Sequence, residues 1–413
     1  MTSSTTARGL GADRYFDDQV RAPDSVVTTI HELTTADGAR VTGVLRVPPS
    51  ATAAVTLMHP RQDITHHALV PHLLRAGHAV WTQGSRSPNN DLTLVHEQAI
   101  IDFAAGQVLM RARGFDRVFA LGHSGGGTLA AFYVQQASLA PDQRLTAAPS
   151  GRRVPLADTD MPVPEGVVFL APHPGQGALL QRVIDPSVTD EGDPLSRDPD
   201  LDPFAGANGF AEPPASSSYD AGFVERYRAA QAARIARIDA VAAAHVAQQR
   251  EADASFKRSG DPDDRRRALS PRILIVHRTD ADLRNVDLSL DPNDRPYGSL
   301  MGRRPDLTDY GLVGFGRMST AEAWMSTWSA NTTNADFLRC ARGVTVPTLL
   351  VEFTGDQASF PADIAAFRDS LAAEDLSVSA VRGTHFGGPI VQGEPHGSVL
   401  AAEVINDWLG ARS

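Results

Sequence analysis

The sequence predicts an α/β fold, in which helices cover both faces of a mostly parallel β-sheet. From about residue 26, short apolar runs alternate with segments of helical spacing, as expected for strands joined by crossover helices. Most of these runs lack the polar alternation of a strand that faces water, which indicates strands buried on both faces. The alternation stops near residue 171 and resumes near residue 343, so we predict one fold interrupted by an insertion.

The predicted elements before the insertion begin with a hairpin. Residues 26–33 and 40–47 are rich in β-branched side chains, and Asp37-Gly38 between them is a strong turn signal. The hairpin is followed in order by a strand at 53–58, a helix at 68–76, a strand at 78–82, a helix from Asp91 to Arg113, a strand at 118–121, a helix at 125–137 and a strand at 167–170.

Residues 171–342 differ in composition from the segments on either side. They are rich in Pro, Asp and Gly, and they contain a long amphipathic helix at about 223–256 and a short strand at 272–278. Strands at 348–353 and 377–381 and helices at 363–373 and 398–409 then follow. We therefore predict an N-terminal extension over residues 1–25, a core domain formed by residues 26–170 and 343–413, and a large, mainly helical insertion over residues 171–342.

Composition and charge limit the classes of function. The 413-residue chain carries a formal net charge of −11, which excludes a nucleic-acid partner because phosphate binding needs a basic surface. The single cysteine, Cys340, forms no internal disulfide, and the histidines lack metal-site spacing with acidic partners. We therefore expect no metal and no cofactor.

The N-terminal segment and the hydropathy pattern bear on location. The first 25 residues are polar and lack the apolar segment of a signal peptide, and no run of about 18 apolar residues is present. We therefore expect a cytoplasmic protein without a membrane partner. Every basic position except Lys257 is arginine, and alanine is abundant, which suggests a GC-rich bacterial genome. The expected partner is a small-molecule substrate, and the sequence leaves a homo-oligomeric assembly open.

The strongest chemical signal is the motif Gly-His-Ser-Gly-Gly at residues 122–126. It follows the apolar run at 118–121 and begins a helix of small residues. A serine on such a tight strand-to-helix turn has a strained backbone and a hydroxyl held above the sheet, and the flanking glycines remove Cβ atoms that would clash. The helix N-terminus supplies N–H groups and the positive end of a dipole. Ser124 is therefore the candidate nucleophile.

This order of strand, Gly-x-Ser-x-Gly turn and helix resembles the α/β-hydrolase superfamily. The resemblance covers about residues 26–170 and 344–408 and leaves out the insertion. It implies an α/β-hydrolase fold, in which the nucleophile, the acid and the histidine occur in that order along the chain. It also implies that the insertion is a lid over the active site.

The resemblance implies the other two members of a catalytic triad. The acid is Asp356, on the loop after the strand at 348–353, and Glu352 inside that strand is the alternative. The base is His385, on a glycine-flanked loop after the last strand, where the superfamily places its histidine. His396, at the start of the following helix, is its rival.

A tetrahedral intermediate needs N–H donors for its oxyanion. Gly125, directly after the nucleophile, is expected to provide one of them. The second should come from the loop after the third strand, where the superfamily often has His-Gly and this chain has His59 and Pro60. Because proline has no N–H, Arg61 is the favoured donor and Gln62 the next, with His59 ordering the loop.

The lid is expected to enclose the substrate. Aromatic and methionine side chains cluster near its C-terminal end, and some of them should line an apolar acyl or alcohol pocket while others form the core of the lid. The length of the lid predicts an enclosed pocket for a defined substrate. The candidate substrate-binding residues are His59, His123, Trp324, Trp328 and Tyr297.

The leading hypothesis is a serine hydrolase that cleaves a carboxylic ester, or a related acyl bond, of a small apolar or aromatic substrate through an acyl-enzyme. Carbon–carbon bond hydrolases of ring-cleavage diketones share the triad and the lid, but they usually have Asn before the nucleophile and Met after it, where this chain has His123 and Gly125. Thioesterase and acyltransferase activities stay open, and a non-catalytic ligand-binding protein is a further alternative. Ser124 argues against dehalogenase and epoxide-hydrolase chemistry, which needs a carboxylate at that position.

Overall fold

An eight-stranded, mostly parallel β-sheet forms the centre of the fold. The computed structural model describes residues 20–87 and 92–412. Most of the predicted N-terminal extension, up to residue 19, and the helix start predicted at Asp91 lie outside the described residues. Within the described ranges, strands and helices alternate as predicted, which confirms the α/β fold class.

The central sheet contains two antiparallel strands at one edge and six parallel strands. Its strand order is β1-β2-β4-β3-β5-β6-β9-β10; β2 runs antiparallel to β1 and β4, and the other neighbours are parallel. β7 and β8 form a separate antiparallel pair. The strands are β1 (Val27–Thr34), β2 (Arg40–Val47), β3 (Ala53–Met58), β4 (Ala79–Gln83), β5 (Arg117–His123), β6 (Gly166–Leu170), β7 (Ile273–Ile275), β8 (Met318–Thr320), β9 (Thr348–Gly355) and β10 (Leu376–Thr384).

Helices cover both faces of this sheet. The α-helices of the described residues are α1 (Val70–Arg75), α2 (His96–Ala112), α3 (Gly125–Ala137), α4 (Gln176–Val183), α5 (Ala221–Ser259), α6 (Pro262–Leu269), α7 (Pro305–Thr308), α8 (Ala321–Ala323), α9 (Phe337–Ala341), α10 (Pro361–Ser370) and α11 (Gly397–Gly410), of which α4 to α9 lie between β6 and β9 in the sequence. One apolar cluster joins α2, α3, α9 and α10 to the sheet, and a second joins α1 and α11. Phe119 and Leu121 of β5 belong to the second cluster and Ala120 to the first, because successive side chains of a strand point to opposite faces.

The insertion between β6 and β9 has an apolar core of its own. Leu180 of α4 and Ile235 of α5 pack against Trp324 and Trp328, which lie at the two ends of a π-helical turn. These four side chains are fully buried. Helices account for most of the regular secondary structure of the insertion, as the sequence predicts for this segment.

The long helix of the insertion, α5, extends further than the sequence predicts, over 39 residues. It begins after Asp220, whose carboxylate accepts a hydrogen bond from the N–H group of Phe223. It ends before Gly260, which has a positive φ of 72° that glycine adopts at little cost. Despite this length, neither α5 nor another helix in the described part of the chain is apolar enough to cross a membrane.

Polar contacts attach the insertion to the core. The hydroxyl of Ser326 donates to Glu97 Oε2 at 2.6 Å and accepts from the N–H group of His96 at 2.9 Å, both on α2. On another side, Asn293 Nδ2 donates to the carbonyl oxygen of Asp356 at 2.9 Å. The insertion is therefore bonded both to the start of α2 and to the loop that follows β9.

One buried carboxyl of the insertion has a strongly shifted pKa. Asp280 Oδ2 accepts hydrogen bonds from the hydroxyl groups of Ser299 and Thr308. Burial raises the pKa of Asp280 to about 7, against the lowering effect of these two hydrogen bonds. Because the folded protein then holds this proton more tightly than the unfolded chain does, ionisation of Asp280 lowers the free energy of unfolding.

We expect the contribution of Asp280 to the free energy of unfolding to fall as the pH rises from about 4 to about 7, and to stay constant above that range. Asp280→Asn should lack this part of the pH dependence, because a carboxamide does not ionise. Urea unfolding at about pH 5 and about pH 8 measures the difference. The exposed carboxylate of Asp200, changed to Asn, is the control. The same stability change with pH in wild type and Asp280→Asn would contradict the shifted pKa.

Candidate active site

Ser124 lies on a sharp turn between the central strand β5 and helix α3. Its backbone has φ 56° and ψ −123°, a conformation that a non-glycine residue adopts only under strain. Its N–H group donates to the carbonyl oxygen of Leu170 on β6 at 3.1 Å. A Cβ atom on Gly122 would lie 2.3 Å from the carbonyl oxygen of Gly126, so the turn closes only because these residues are glycines.

The structure brings Ser124, His385 and Asp356 together in one hydrogen-bonded chain. Ser124 Oγ lies 2.8 Å from His385 Nε2, and His385 Nδ1 lies 2.9 Å and 2.8 Å from the two carboxylate oxygens of Asp356. A carboxylate only accepts, so Nδ1 donates to it and leaves Nε2 of the neutral ring as the acceptor for the serine hydroxyl. The three residues are buried, with exposed fractions of 7%, 1% and 1%.

The loop after β9 holds Asp356 in place. Asp356 Oδ1 accepts hydrogen bonds from the N–H groups of Ala358 at 2.7 Å and Ser359 at 3.0 Å. These bonds leave the carboxylate facing the histidine. The rival candidates lie elsewhere: Glu352 is within β9, and His396 is the residue that precedes α11.

The parts of the site come from loops at one edge of the sheet. The serine follows β5, the aspartate follows β9 and the histidine follows β10, all at the carboxyl ends of neighbouring parallel strands. A serine on a strained strand-to-helix turn, with an aspartate and a histidine following it in this chain order, is an arrangement typical of the α/β-hydrolase fold. The chain has the α/β-hydrolase fold.

Comparisons with known proteins give similarity at low identity. No protein-family model and no curated protein matches the sequence. The structure of DcsB in complex with its substrate analogue is 13% identical, with a TM-score of 0.46 over 93% of this chain and 99% of that chain. Brefeldin A esterase, a bacterial homologue of human hormone-sensitive lipase, is 15% identical, with a TM-score of 0.42 over 97% and 80%. Est1E from Butyrivibrio proteoclasticus is 12% identical, with a TM-score of 0.43 over 92% and 98%.

In this α/β-hydrolase fold, His123 connects the nucleophile turn to the loop of His385. His123 Nε2 lies 2.8 Å from the carbonyl oxygen of His385 and must donate to it. His123 Nδ1 therefore accepts from His67 Nε2 at 2.8 Å, and His67 Nδ1 accepts from the N–H group of Leu69. Burial lowers the pKa of His67 to about 3 and the pKa of His123 well below its ordinary value. Because both ring nitrogens of His123 bond to protein atoms, the structure corrects its assignment as a substrate-binding residue.

The expected oxyanion donors have different surroundings. Gly125 is the first residue of α3, where an N–H group has no partner within the helix. The N–H groups of Arg61 and Gln62 both donate to His59 Nδ1, at 3.1 Å and 3.0 Å. The structure therefore corrects the prediction that Arg61 or Gln62 presents its N–H group to the oxyanion, because the ring of His59 already accepts both.

The three aromatic candidates for substrate binding all lie in the insertion but have different contacts. Trp324 is fully buried in the core of the insertion, and its indole N–H donates to Asp239 at 2.7 Å, which corrects its assignment as a substrate contact. Trp328 packs against Arg61, whose guanidinium carbon lies 4.8 Å from the centre of the Trp328 ring. Tyr297 lines a cavity of about 450 Å³ beside the loop that carries the base.

Two residues that were not predicted from the sequence, His173 and Gln176, also lie close to the Ser124 turn. A methyl group placed on Gly125 would lie 2.9 Å from Nε2 of His173, 2.9 Å from Nε2 of His59 and 2.6 Å from Nε2 of Gln176. A signal for them is present in the sequence, because His-Pro-x-Gln occurs both at 59–62 and at 173–176. Each copy lies shortly after a strand that neighbours β5.

Burial keeps the imidazoles around the nucleophile neutral. It is the largest influence on His59, His96 and His173; it lowers the pKa of His96 to about 4 and the pKa values of the other two well below the ordinary value. The positive charge of Arg61 lowers all three further. These rings do not form a metal centre, since no group of three or more His, Cys, Asp or Glu side chains among the described residues is arranged to hold a metal ion.

The contacts of Asp356 lead to a prediction for the tautomer of His385. In Asp356→Asn, the carboxamide oxygen should keep the two backbone hydrogen bonds of Oδ1, so its NH₂ group faces His385 Nδ1. The ring proton is then expected to move from Nδ1 to Nε2, because Nδ1 becomes an acceptor. Nuclear magnetic resonance of ¹⁵N-histidine-labelled protein measures this change.

Glu352→Gln, which alters the rival carboxylate within β9, is the control and should leave the tautomer of His385 unchanged. A His385 ring that keeps its proton on Nδ1 in Asp356→Asn would show that this carboxylate does not set the tautomer.

Proposed function

We propose that this protein is a serine hydrolase that cleaves a carboxylic ester of a small, apolar or aromatic substrate through an acyl-enzyme. The observation that supports the proposal most directly is the buried chain from Ser124 Oγ through the ring of His385 to the carboxylate of Asp356. A serine hydroxyl is a weak nucleophile until a base accepts its proton, and this chain supplies both the base and the group that orients it.

In the first half of the proposed reaction, Ser124 Oγ attacks the ester carbonyl carbon while its proton passes to His385 Nε2. Asp356 stabilises the imidazolium that forms, through its hydrogen bond with Nδ1. The carbonyl oxygen becomes an oxyanion, which the N–H group of Gly125 is placed to stabilise at the start of α3. Collapse of the intermediate releases the alcohol, which takes the proton from Nε2.

In the second half, water attacks the acyl-enzyme. His385 accepts a proton from this water and returns a proton to Ser124 Oγ as the carboxylic acid leaves. The burial of Ser124, His385 and Asp356 supports the proton transfers in both halves of the reaction. The interaction between the imidazolium of His385 and the carboxylate of Asp356 is stronger in a buried site than in bulk water. Access of water and of other acceptors to the acyl-enzyme decides between hydrolysis and acyl transfer.

The proposed substrate class follows from the space beside the base. The cavity lined by Tyr297 also has Phe386, Leu300, Met301 and Ile390 on its wall. Phe386 directly follows His385 in the chain, so this cavity lies beside the loop that carries the proposed base. A cavity of this size and partly apolar lining is suited to a small acyl or alcohol group rather than to a polymer.

The test is turnover of short-chain p-nitrophenyl esters by the full-length protein. We expect the wild type to release p-nitrophenolate, Ser124→Ala to lose at least about 10⁴-fold in kcat, and Asp356→Asn to lose about 10³- to 10⁴-fold. Ser138→Ala, at the exposed end of α3, removes a serine hydroxyl outside the site and should keep wild-type turnover.

Circular dichroism should show that each variant is folded. Turnover that survives in folded Ser124→Ala would contradict the assignment of the nucleophile. A folded wild type without activity on any member of a series of acyl chain lengths would contradict ester hydrolysis.

A further inference from the structure

Two short turns with the same sequence pattern lie on the two sides of the nucleophile. Residues 59–62 and residues 173–176 both have the pattern His-Pro-x-Gln. The first turn follows β3 and the second follows β6, which are the two neighbours of β5 in the sheet. Because β5 ends directly before Ser124, each turn brings its histidine to the same edge of the sheet from one side.

Each turn sets the tautomer of its histidine in the same way. In the first turn, His59 Nδ1 accepts the N–H groups of Arg61 and Gln62. In the second turn, His173 Nδ1 accepts the N–H group of Gly175 at 3.0 Å. A ring nitrogen that accepts carries no proton, so the single proton of each neutral ring is on Nε2. Both Nε2 atoms are therefore hydrogen-bond donors.

The Nε2 atoms of His59 and His173 converge on one small region beside Gly125. Both nitrogens lie within 3 Å of the position that a methyl group on Gly125 would occupy, and Nε2 of Gln176 lies there too. Gly125 also contributes its N–H group at the N-terminus of α3. A space with this many donors is suited to an oxygen that carries negative charge, since such an oxygen accepts hydrogen bonds most strongly.

The charges around this space agree with an anionic occupant. The positive charge of Arg61 lowers the pKa values of both His59 and His173, so it lies close enough to act on the same space. Burial, the larger influence, keeps both imidazoles neutral. A neutral imidazole is a good N–H donor that keeps its hydrogen bond without a change of charge, so it stabilises a developing oxyanion with little rearrangement.

We propose that His59 and His173 are side-chain donors of the oxyanion hole, and that with the Gly125 N–H group they bind the carbonyl oxygen of the substrate and the oxyanion formed from it. This inference rests on the proposed function and adds to it the donors that Arg61 and Gln62 do not supply. The two imidazoles keep their protons throughout. When Ser124 attacks, the electron pair of the carbonyl double bond moves to the oxygen, and the serine proton goes to His385 alone.

The test begins with steady-state hydrolysis of p-nitrophenyl acetate. Because the donors act on charge that develops in the transition state, His59→Ala and His173→Ala should each lower kcat about 10²-fold and change KM less than about threefold. His173→Gln places an amide N–H near the former Nε2 position, so its kcat should be about tenfold higher than that of His173→Ala. His78→Ala, which removes a buried imidazole just before β4 at the opposite edge of the sheet, is the control and should retain wild-type kcat.

A second measurement separates hydrogen bonding to the oxyanion from a purely structural role. In p-nitrophenyl thionoacetate the carbonyl oxygen is replaced by sulfur, and a sulfur anion accepts hydrogen bonds weakly. The wild type should therefore favour the oxygen ester. The ratio of kcat/KM for the oxygen ester to kcat/KM for the thionoester should fall by about tenfold in the two alanine variants. Substitutions that only disturb the fold lower both values and leave their ratio unchanged.

Different results would overturn the donor roles and the ester-hydrolase activity. Wild-type turnover that survives in both alanine variants, or a loss of turnover with an unchanged oxygen-to-sulfur ratio, would overturn the donor roles of His59 and His173 and leave the ester-hydrolase proposal standing. Absence of ester turnover by the wild type would reject the proposed function itself, and the donor roles with it.

Discussion

The rest of the site depends on the strained backbone of one residue, Ser124. Its conformation costs about 1–3 kcal/mol in a non-glycine residue and persists only where the surrounding structure holds it. Here the hydrogen bond from its N–H group to Leu170 on β6 and the close approach of Gly122 to Gly126 hold it. Without this turn, Oγ would lie elsewhere, and neither the base nor the start of α3 would face it.

The end of β5 is also bonded to the loop of His385, the proposed base. His123, which precedes the nucleophile, donates to the main-chain carbonyl of His385 and accepts from His67. A neutral imidazole is suited to this place because it donates on one side and accepts on the other. Ser124 and the loop of His385 are therefore connected through His123, the last residue of β5, so their separation depends little on the long insertion between them in the sequence.

Much of the fold could be predicted because its signals are local. The strand at 53–58 and the helix at 125–137 have the predicted bounds, since a continuous apolar run and a glycine-rich strand-to-helix turn mark their limits directly. The pairing of β7 with β8 was not predicted, because the two strands lie far apart in the chain and each is only three residues long.

The parts of the site that were mispredicted depend on contacts that no local pattern reveals. The choice between a buried and a substrate-facing Trp324 depends on Asp239, which lies on a different helix. The orientation of the Arg61 and Gln62 N–H groups depends on the ring of His59, and the position of His173 near Ser124 depends on the order of strands in the sheet. The repeated His-Pro-x-Gln pattern becomes meaningful only when β3 and β6 are known to lie on the two sides of β5.

The most direct test of the central claim, that Ser124 is an activated nucleophile, is intact-mass analysis after treatment with a fluorophosphonate, followed by peptide mapping. We expect the wild type to gain one phosphonyl group on Ser124, and folded Ser124→Ala to gain none. A folded wild type that stays unlabelled, or a label that persists in Ser124→Ala, would contradict the claim.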